Sequence, residues 1–291
     1  MSRVLEGKVA VITGASTGIG RAISERYLAA GARIVVFARN PEGLEAIRAI
    51  DPEAVLAVTG DVTRSADLQR LVKETCERFG TVDIVVPNAG MAKVVSFADS
   101  TEEAIHEQFS VNFVGAVQTA RLFLPHINQG GSILFNTSFL TQVGFPGLAI
   151  YSASKAALKS VTQTLAAELA PQEIRVNAIA PGPIATPLWG KVGLQPDVLQ
   201  SVAGQINARL MPGQFGKPED IRRDGRLPGF RCRSQHLWAG NRDRRRLHGR
   251  LIGGGGQVGK PCRRRSGHFN RPRPIFVPVN ITLPSRPLTS L

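Results

Sequence analysis

Two hydrophobic rhythms alternate along the chain. Lys8-Val-Ala-Val-Ile-Thr13 is a short β-branched run ending in glycines, which predicts a buried parallel strand. Ile19, Ala22, Ile23, Tyr27 and Leu28 follow at helical spacing, predicting a helix over Ile19–Ala30 that Gly31 stops. Ile34–Ala38 reads as a second strand and Pro41–Ile50 as a helix with proline in its first turn. Val55–Val58 and Val82–Val86 are further strands, separated by the amphipathic stretch Ala66–Phe79. Ser132–Phe135 and Ile174–Ala178 repeat the pattern, with a long helix between them from about Ser152 to Leu169. Strands alternating with helices of this length predict an α/β fold, a doubly wound parallel sheet covered on both faces. Ligands of such sheets sit at the carboxyl ends of the strands, where the winding reverses.

The unusual residues lie at those ends. Thr13-Gly-Ala-Ser-Thr-Gly-Ile-Gly20 joins the first strand to the first helix. There Gly14, Gly18 and Gly20 permit a tight turn and a close backbone approach to a pyrophosphate at a helix N-terminus. Tyr151-Ser-Ala-Ser-Lys155 puts a phenol and an ammonium four residues apart, on one helix face. A free phenol titrates near ~10, so it serves as a base near neutrality only where a cation favours the phenolate. Ser138 follows a strand and can turn its hydroxyl to the same cleft. Each has a plain structural alternative: a strand–helix turn, two surface neighbours, a serine satisfying a turn.

Together these residues resemble the short-chain dehydrogenase/reductase family, Rossmann-fold enzymes with a TGxxxGxG loop and a YxxxK pair. The resemblance covers about Gly7 to Asp220 and is similar in kind to 3-oxoacyl-(acyl-carrier-protein) reductases and glucose dehydrogenases. Asp61-Val62 resembles the family's adenine-binding pair and Pro87-Asn-Ala-Gly90 its NNAG motif, with Pro87 where asparagine is usual. Proline lacks an N–H, so one local bond at that strand end is in question. Asn112 matches a fourth catalytic position, and Pro181-Gly-Pro-Ile-Ala-Thr186 the loop that closes over a nicotinamide.

The resemblance implies a catalytic set of Ser138, Tyr151, Lys155 and Asn112. Tyr151 would exchange the proton of a carbonyl or alcohol, Ser138 would hydrogen-bond the same oxygen, and Lys155 would lower the phenol pKa and bind the nicotinamide ribose. Asn112 would hold a water linking Lys155 to solvent. The dinucleotide would lie on Gly14, Ser16, Gly18, Ile19 and Gly20, then Asp61 and Val62, then Asn88, Ala89 and Gly90. Tyr151, Lys155, Pro181, Gly182, Ile184 and Thr186 would complete its site. Relatives with these motifs reduce fatty-acyl, sugar, steroid and xenobiotic carbonyls, so the substrate is a small carbonyl or alcohol compound of open identity. At the end of the second strand Ala38 stands where NAD-preferring relatives carry aspartate, and Arg39 follows. A guanidinium there suits a 2′-phosphate, which favours NADP(H) over NAD(H), although Arg39 can also be a solvated turn residue and Thr17 is not basic.

Composition changes the picture at one point. The net charge of +14 suggests a nucleic-acid partner, but the excess lies almost wholly beyond Ile221, where Asp224 and Asp243 are the only acids. The expected helix after Pro218 meets Arg222-Arg-Asp-Gly-Arg-Leu-Pro228 instead. Read one base further on, the codons of Gly240-Asn-Arg-Asp-Arg-Arg-Arg-Leu-His248 permit Glu-Ile-Val-Ile-Asp-Gly-Gly-Phe-Thr. That pattern resembles the last strand of the family. The expectation is therefore a catalytic domain over 1–221 lacking its last strand, and a disordered, out-of-frame tail over 222–291 rich in Arg, Gly and Pro. The rivals are a non-catalytic relic that binds dinucleotide at most, and an Arg-rich nucleic-acid or membrane binder. The family is usually homotetrameric, and the break removes part of the surface that builds the tetramer.

Three cysteines, Cys76, Cys232 and Cys262, show no CxxC spacing, and five histidines form no metal spacing. No metal is expected. With neither a basic-then-apolar start nor a membrane-length apolar run, a cytoplasmic protein without nucleic-acid or membrane partners is expected. Phe139, Leu140, Phe145, Trp189 and Met211 either line an apolar pocket at the cleft or belong to the core.

Overall fold

A computed structural model describes residues 3–209 and 214–222. Among them six strands form one parallel sheet in the order β3-β2-β1-β4-β5-β6. The strands are β1 (Val9–Thr13), β2 (Arg33–Ala38), β3 (Val55–Thr59), β4 (Val82–Val86), β5 (Ile127–Asn136) and β6 (Arg175–Ile179). Helices α1 (Gly18–Ala29), α2 (Pro41–Arg48), α3 (Ser65–Phe79), α4 (Glu102–Phe109), α5 (Ala116–Phe123), α6 (Ala149–Glu168) and α7 (Pro196–Arg209) intervene. This is the Rossmann-type winding that the alternating pattern predicted.

β1 shows why its residues make a central strand: all five are buried, and successive side chains serve opposite faces. Ala10 and Ile12 pack with Ile23, Tyr27, Leu44 and Ile47 under α1 and α2. Val9 and Val11 pack with Leu68, Leu71 and Phe123 under α3 and α5. A third cluster, including Phe135, Leu158 and Val176, seals β5 and β6 under α6. Local signals set the ends. Asn40 caps α2 by accepting the Gly43 N–H at 2.9 Å, with Pro41 in the first turn. Gly80 ends α3 at φ 76°, in the left-handed region that suits glycine.

The differences from the pattern are instructive. β5 begins at Ile127 rather than Ser132, because Asn128, Gln129 and two glycines carry the strand without an apolar rhythm. Between α4 and α5 the chain makes a π-helical turn over Ser110–Gly115, and the wider turn breaks the helical spacing that would have revealed both helices. Pro218–Arg222 forms a 3-10 helix, and the residues after it lie outside the described ones. The expected last-strand loss, the tail and Met211 lie outside the described residues. No helix among the described residues is long and apolar enough to cross a membrane.

Candidate active site

β1 lies between β2 and β4, so the winding reverses there and a crevice opens at the carboxyl ends. The glycine loop fills one side of it. A Cβ on Gly20 would stand 2.3 Å from the Gly14 carbonyl oxygen, and one on Gly14 would stand 2.7 Å from the Ala89 Cα. Gly14 and Gly18 hold positive φ values of 65° and 57°. No side chain caps the first turn of α1, whose N-cap is Thr17. A tight, side-chain-free cradle at an uncapped helix start fits the pyrophosphate of a dinucleotide. Ser16 lies against Gly43 of α2, and Ile19, in the first turn of α1, packs on the core.

Polar bonds fix the loop after β4 beyond Pro87. The N–H groups of Asn88 and Ala89 both donate to Thr13 Oγ1 at 3.1 Å. Asn88 Nδ2 donates to the carbonyls of Thr13 (3.0 Å) and Gly14 (3.2 Å), so Asn88 ties the glycine loop to β4. Val62 packs against Gly115. Asp61 Oδ1 accepts the Thr63 N–H at 2.9 Å and its hydroxyl at 2.8 Å. Arg39 is largely exposed at the end of β2, 3.8 Å from the Asp61 carboxylate.

The four expected catalytic residues come from three elements. Ser138 follows β5 and is buried; its Oγ accepts the Leu140 N–H at 3.2 Å, which leaves its own proton to donate. Tyr151 and Lys155 share one face of α6, with the Lys155 Nζ 5.9 Å from the phenol ring centre. Lys155 is buried, and its ammonium donates to the Asn136 carbonyl at 2.7 Å. Asn112 sits in the π-helical turn. Its Oδ1 accepts the Met91 N–H at 2.8 Å, and its Nδ2 donates to the Met91 carbonyl (2.9 Å) and Ser154 Oγ (3.1 Å). Both side-chain N–H bonds are spent on holding the loop after β4 to α6. Gly90 lies where these meet: its Cβ position is 3.2 Å from Asn112 Oδ1 and 3.4 Å from Lys155 Nζ.

Electrostatics follow from burial. Desolvation pushes the Tyr151 phenol above its ordinary value, and a side-chain hydrogen bond with Ser138 pulls it back down. Desolvation lowers Lys155 from 10.5 to about 8. In the chain alone, then, burial opposes phenolate formation and the Ser138 hydrogen bond favours it.

The loop after β6 closes the crevice. Phe139 N–H donates to the Pro181 carbonyl at 3.1 Å, tying this loop to the Ser138 turn. Thr186 lies on Gly18, with its Cγ2 3.2 Å from that residue's Cβ position; Ile184 bridges to Gly216, and Gly182 is exposed. The Trp189 indole N–H donates to the Ile184 carbonyl at 2.8 Å, and its ring lies 5.0 Å from Phe215. Leu140 is buried and Phe145 half-buried. Cys76 sits partly buried in α3, and burial raises its thiol pKa. Among the described residues no group of three His, Cys, Asp or Glu gathers to hold a metal.

Asn136 takes part in this architecture without having stood out in the sequence, and Thr13 stood out only as the first residue of the glycine loop. The one available signal is a polar residue ending an otherwise apolar strand.

A family model for short chain dehydrogenases matches residues 8–197. An uncharacterized oxidoreductase of Methylorubrum extorquens is 37% identical over 75% of this chain and 88% of its own. Among solved structures, a glucose/ribitol dehydrogenase-type protein of Brucella melitensis superposes with a TM-score of 0.70 at 33% identity, covering 76% of this chain and 88% of its own. A 3-ketoacyl-(acyl-carrier-protein) reductase of the same organism, complexed with NADH, gives 0.68 at 33% identity, over 76% and 90%. On its motifs, its crevice and these matches, the chain belongs to the short-chain dehydrogenase/reductase family, NAD(P)-dependent oxidoreductases acting on CH–OH groups.

Proposed function

We propose that the chain interconverts a ketone or aldehyde and the corresponding alcohol, with Tyr151 as acid and base. The observation that carries this reading is the meeting of Ser138, Tyr151 and Lys155 beside Gly90, at the carboxyl ends of the strands. A bound nicotinamide dinucleotide supplies or accepts the hydride. In reduction the Tyr151 phenol gives its proton to the substrate carbonyl oxygen; in oxidation its phenolate takes the alcohol proton. Ser138 donates a hydrogen bond to the same oxygen as charge develops on it. The Lys155 ammonium favours the phenolate, and Asn112 fixes the loop that carries Gly90 beside it. Glycine-loop residues Gly14, Ser16, Gly18 and Gly20 would hold the pyrophosphate, Asp61 and Val62 the adenine, and Gly182, Ile184 and Thr186 the nicotinamide side.

NADP(H) is the preferred dinucleotide on this reading, because Arg39 is exposed at the end of β2 and Ala38 offers no carboxylate to a ribose hydroxyl. Asp61, 3.8 Å from Arg39, tempers that preference, and NAD(H) remains usable. The catalytic domain spans 1–221, and 222–291 is out of frame. A genomic read over the codons of Asp220–Arg223 tests the frame: an undisputed in-frame sequence there defeats it.

The codon pattern beyond Arg222 favours a second reading, a relic that binds dinucleotide without turnover. Titration with NADPH and NADH by nicotinamide fluorescence, followed by assays on a panel of ketones and alcohols, separates the two. Binding with turnover supports the enzyme; binding with none on any compound supports the relic.

A further inference from the structure

The Lys155 ammonium is buried without a carboxylate. Among the described residues its one hydrogen-bond acceptor is the backbone carbonyl of Asn136, the last residue of β5. The groups around it are neutral or unhelpful. Asn112 and Gly90 face it from the π-helical turn and the loop after β4, and the Tyr151 ring from its own helix. Tyr151 is the one titratable side chain in that set, and burial holds it protonated. Asn136 therefore carries an unusual share of the work of keeping a cation in the interior.

The side chain of the same residue is also constrained. The carbonyls of Thr13 and Gly14 require Asn88 to present Nδ2 to them, which turns Asn88 Oδ1 towards Asn136. That oxygen accepts Asn136 Nδ2 at 2.8 Å, so Asn136 cannot flip its amide without setting two oxygens against each other. Its own Oδ1 is left buried with no hydrogen-bond partner among the described residues. Native proteins rarely leave such an acceptor unpaired, and the backbone carbonyl of the same residue already holds the ammonium.

We propose that Asn136 is a positioning residue for Lys155: it joins the glycine loop, through Asn88, to the lysine ammonium and turns its two oxygens to the support of that buried charge. The proposal rests on the reading of Lys155 as part of the reacting centre. Its consequence is that the charge state and placement of Lys155 depend on a side chain bonded to Asn88 rather than to Ser138 or Tyr151.

Two substitutions move the system in opposite directions. Asn136→Asp adds a negative charge in nearly the same volume, although it trades the Nδ2 bond to Asn88 for an oxygen, so it should hold Lys155 protonated to higher pH; an opposite charge within ~4–6 Å shifts a pKa by roughly one to three units. Asn136→Ala removes the dipole and the tie to Asn88, and should lower the Lys155 titration midpoint or leave turnover at least tenfold weaker with its pH limb displaced. The Lys155 midpoint is read by NMR titration of 13C-labelled lysine side chains, with Lys155→Met to assign the signal and without dinucleotide; the pH profile of kcat is read beside it. Circular dichroism confirms that each variant folds, and Asn136→Asp stands in should Asn136→Ala fail to fold. An upward shift in Asn136→Asp supports the proposal. A Lys155 midpoint unmoved in folded Asn136→Asp overturns it, whatever the activity. Should Lys155→Met keep full turnover while the midpoint does move, the reading of the reacting centre fails and the electrostatic link stands.

Discussion

Replacing Lys155 by methionine should make the folded state more stable at neutral pH, and the gain should vanish as pH rises. The folded chain holds Lys155 at about 8 where the unfolded chain holds it near 10.5, with desolvation as the cause. Below pH 8 both states bind the proton, and the folded state bears the full cost of a buried ammonium. Between 8 and 10.5 the unfolded state binds more protons, so stability rises with pH. At ~1.4 kcal/mol per unit the recovery amounts to about 3 kcal/mol over that window. Methionine fills a similar volume without charge. It leaves the Asn136 carbonyl unpaired, at a cost that does not change with pH. The difference in unfolding free energy between wild type and Lys155→Met, from urea titrations at pH 7, 8, 9 and 10, isolates the lysine. Cys76 and Tyr27 titrate alike in both chains and cancel. Tyr151 lies 5.9 Å from the ammonium, so the pair is best compared on a Tyr151→Phe background. The reasoning expects the methionine chain to lead at pH 7 and to lose most of that lead by pH 10. A difference that stays flat, or that grows with pH, refutes it.

Three further outcomes follow from the geometry. Gly20→Ala puts a methyl 2.3 Å from the Gly14 carbonyl oxygen, so it should abolish NADPH binding by fluorescence titration even where the chain still folds. Arg39→Ala should weaken NADPH binding by roughly tenfold, as expected for one charge-assisted contact, while leaving NADH nearly unchanged; equal losses would remove Arg39 from cofactor choice. Phe135→Ala empties a fully buried position in β5 and should cost about 3–5 kcal/mol in urea unfolding.

Much of the scaffold was legible because its strands are buried on both faces. β4, Val82-Asp-Ile-Val-Val86, is apolar but for Asp83, and its observed ends match the sequence pattern residue for residue. α4 and α5 were not legible, since the π-helical turn inserts an extra residue into the helical repeat and shifts the apolar face. α7 hid for a different reason: Gly204 and scattered polar residues leave it without a marked apolar stripe. In the site, Tyr151 and Lys155 announce themselves because helical spacing fixes their geometry locally. Asn136 does not: its importance comes from Asn88 and Lys155, 48 residues before it and 19 after. No local pattern contains such a contact. The pKa of Tyr151 was legible only in part, because a sequence shows a cation four residues away but not the burial that raises the phenol.

The central claim is that Tyr151 moves the proton. It is tested most directly by comparing wild type and Tyr151→Phe on whichever carbonyl compound the wild-type chain turns over best. Phenylalanine preserves the ring and deletes the one ionisable oxygen. The account predicts a loss of ~10²–10⁴ in kcat/KM with NADPH affinity unchanged by fluorescence titration. A Tyr151→Phe chain that turns over at the wild-type rate would contradict it.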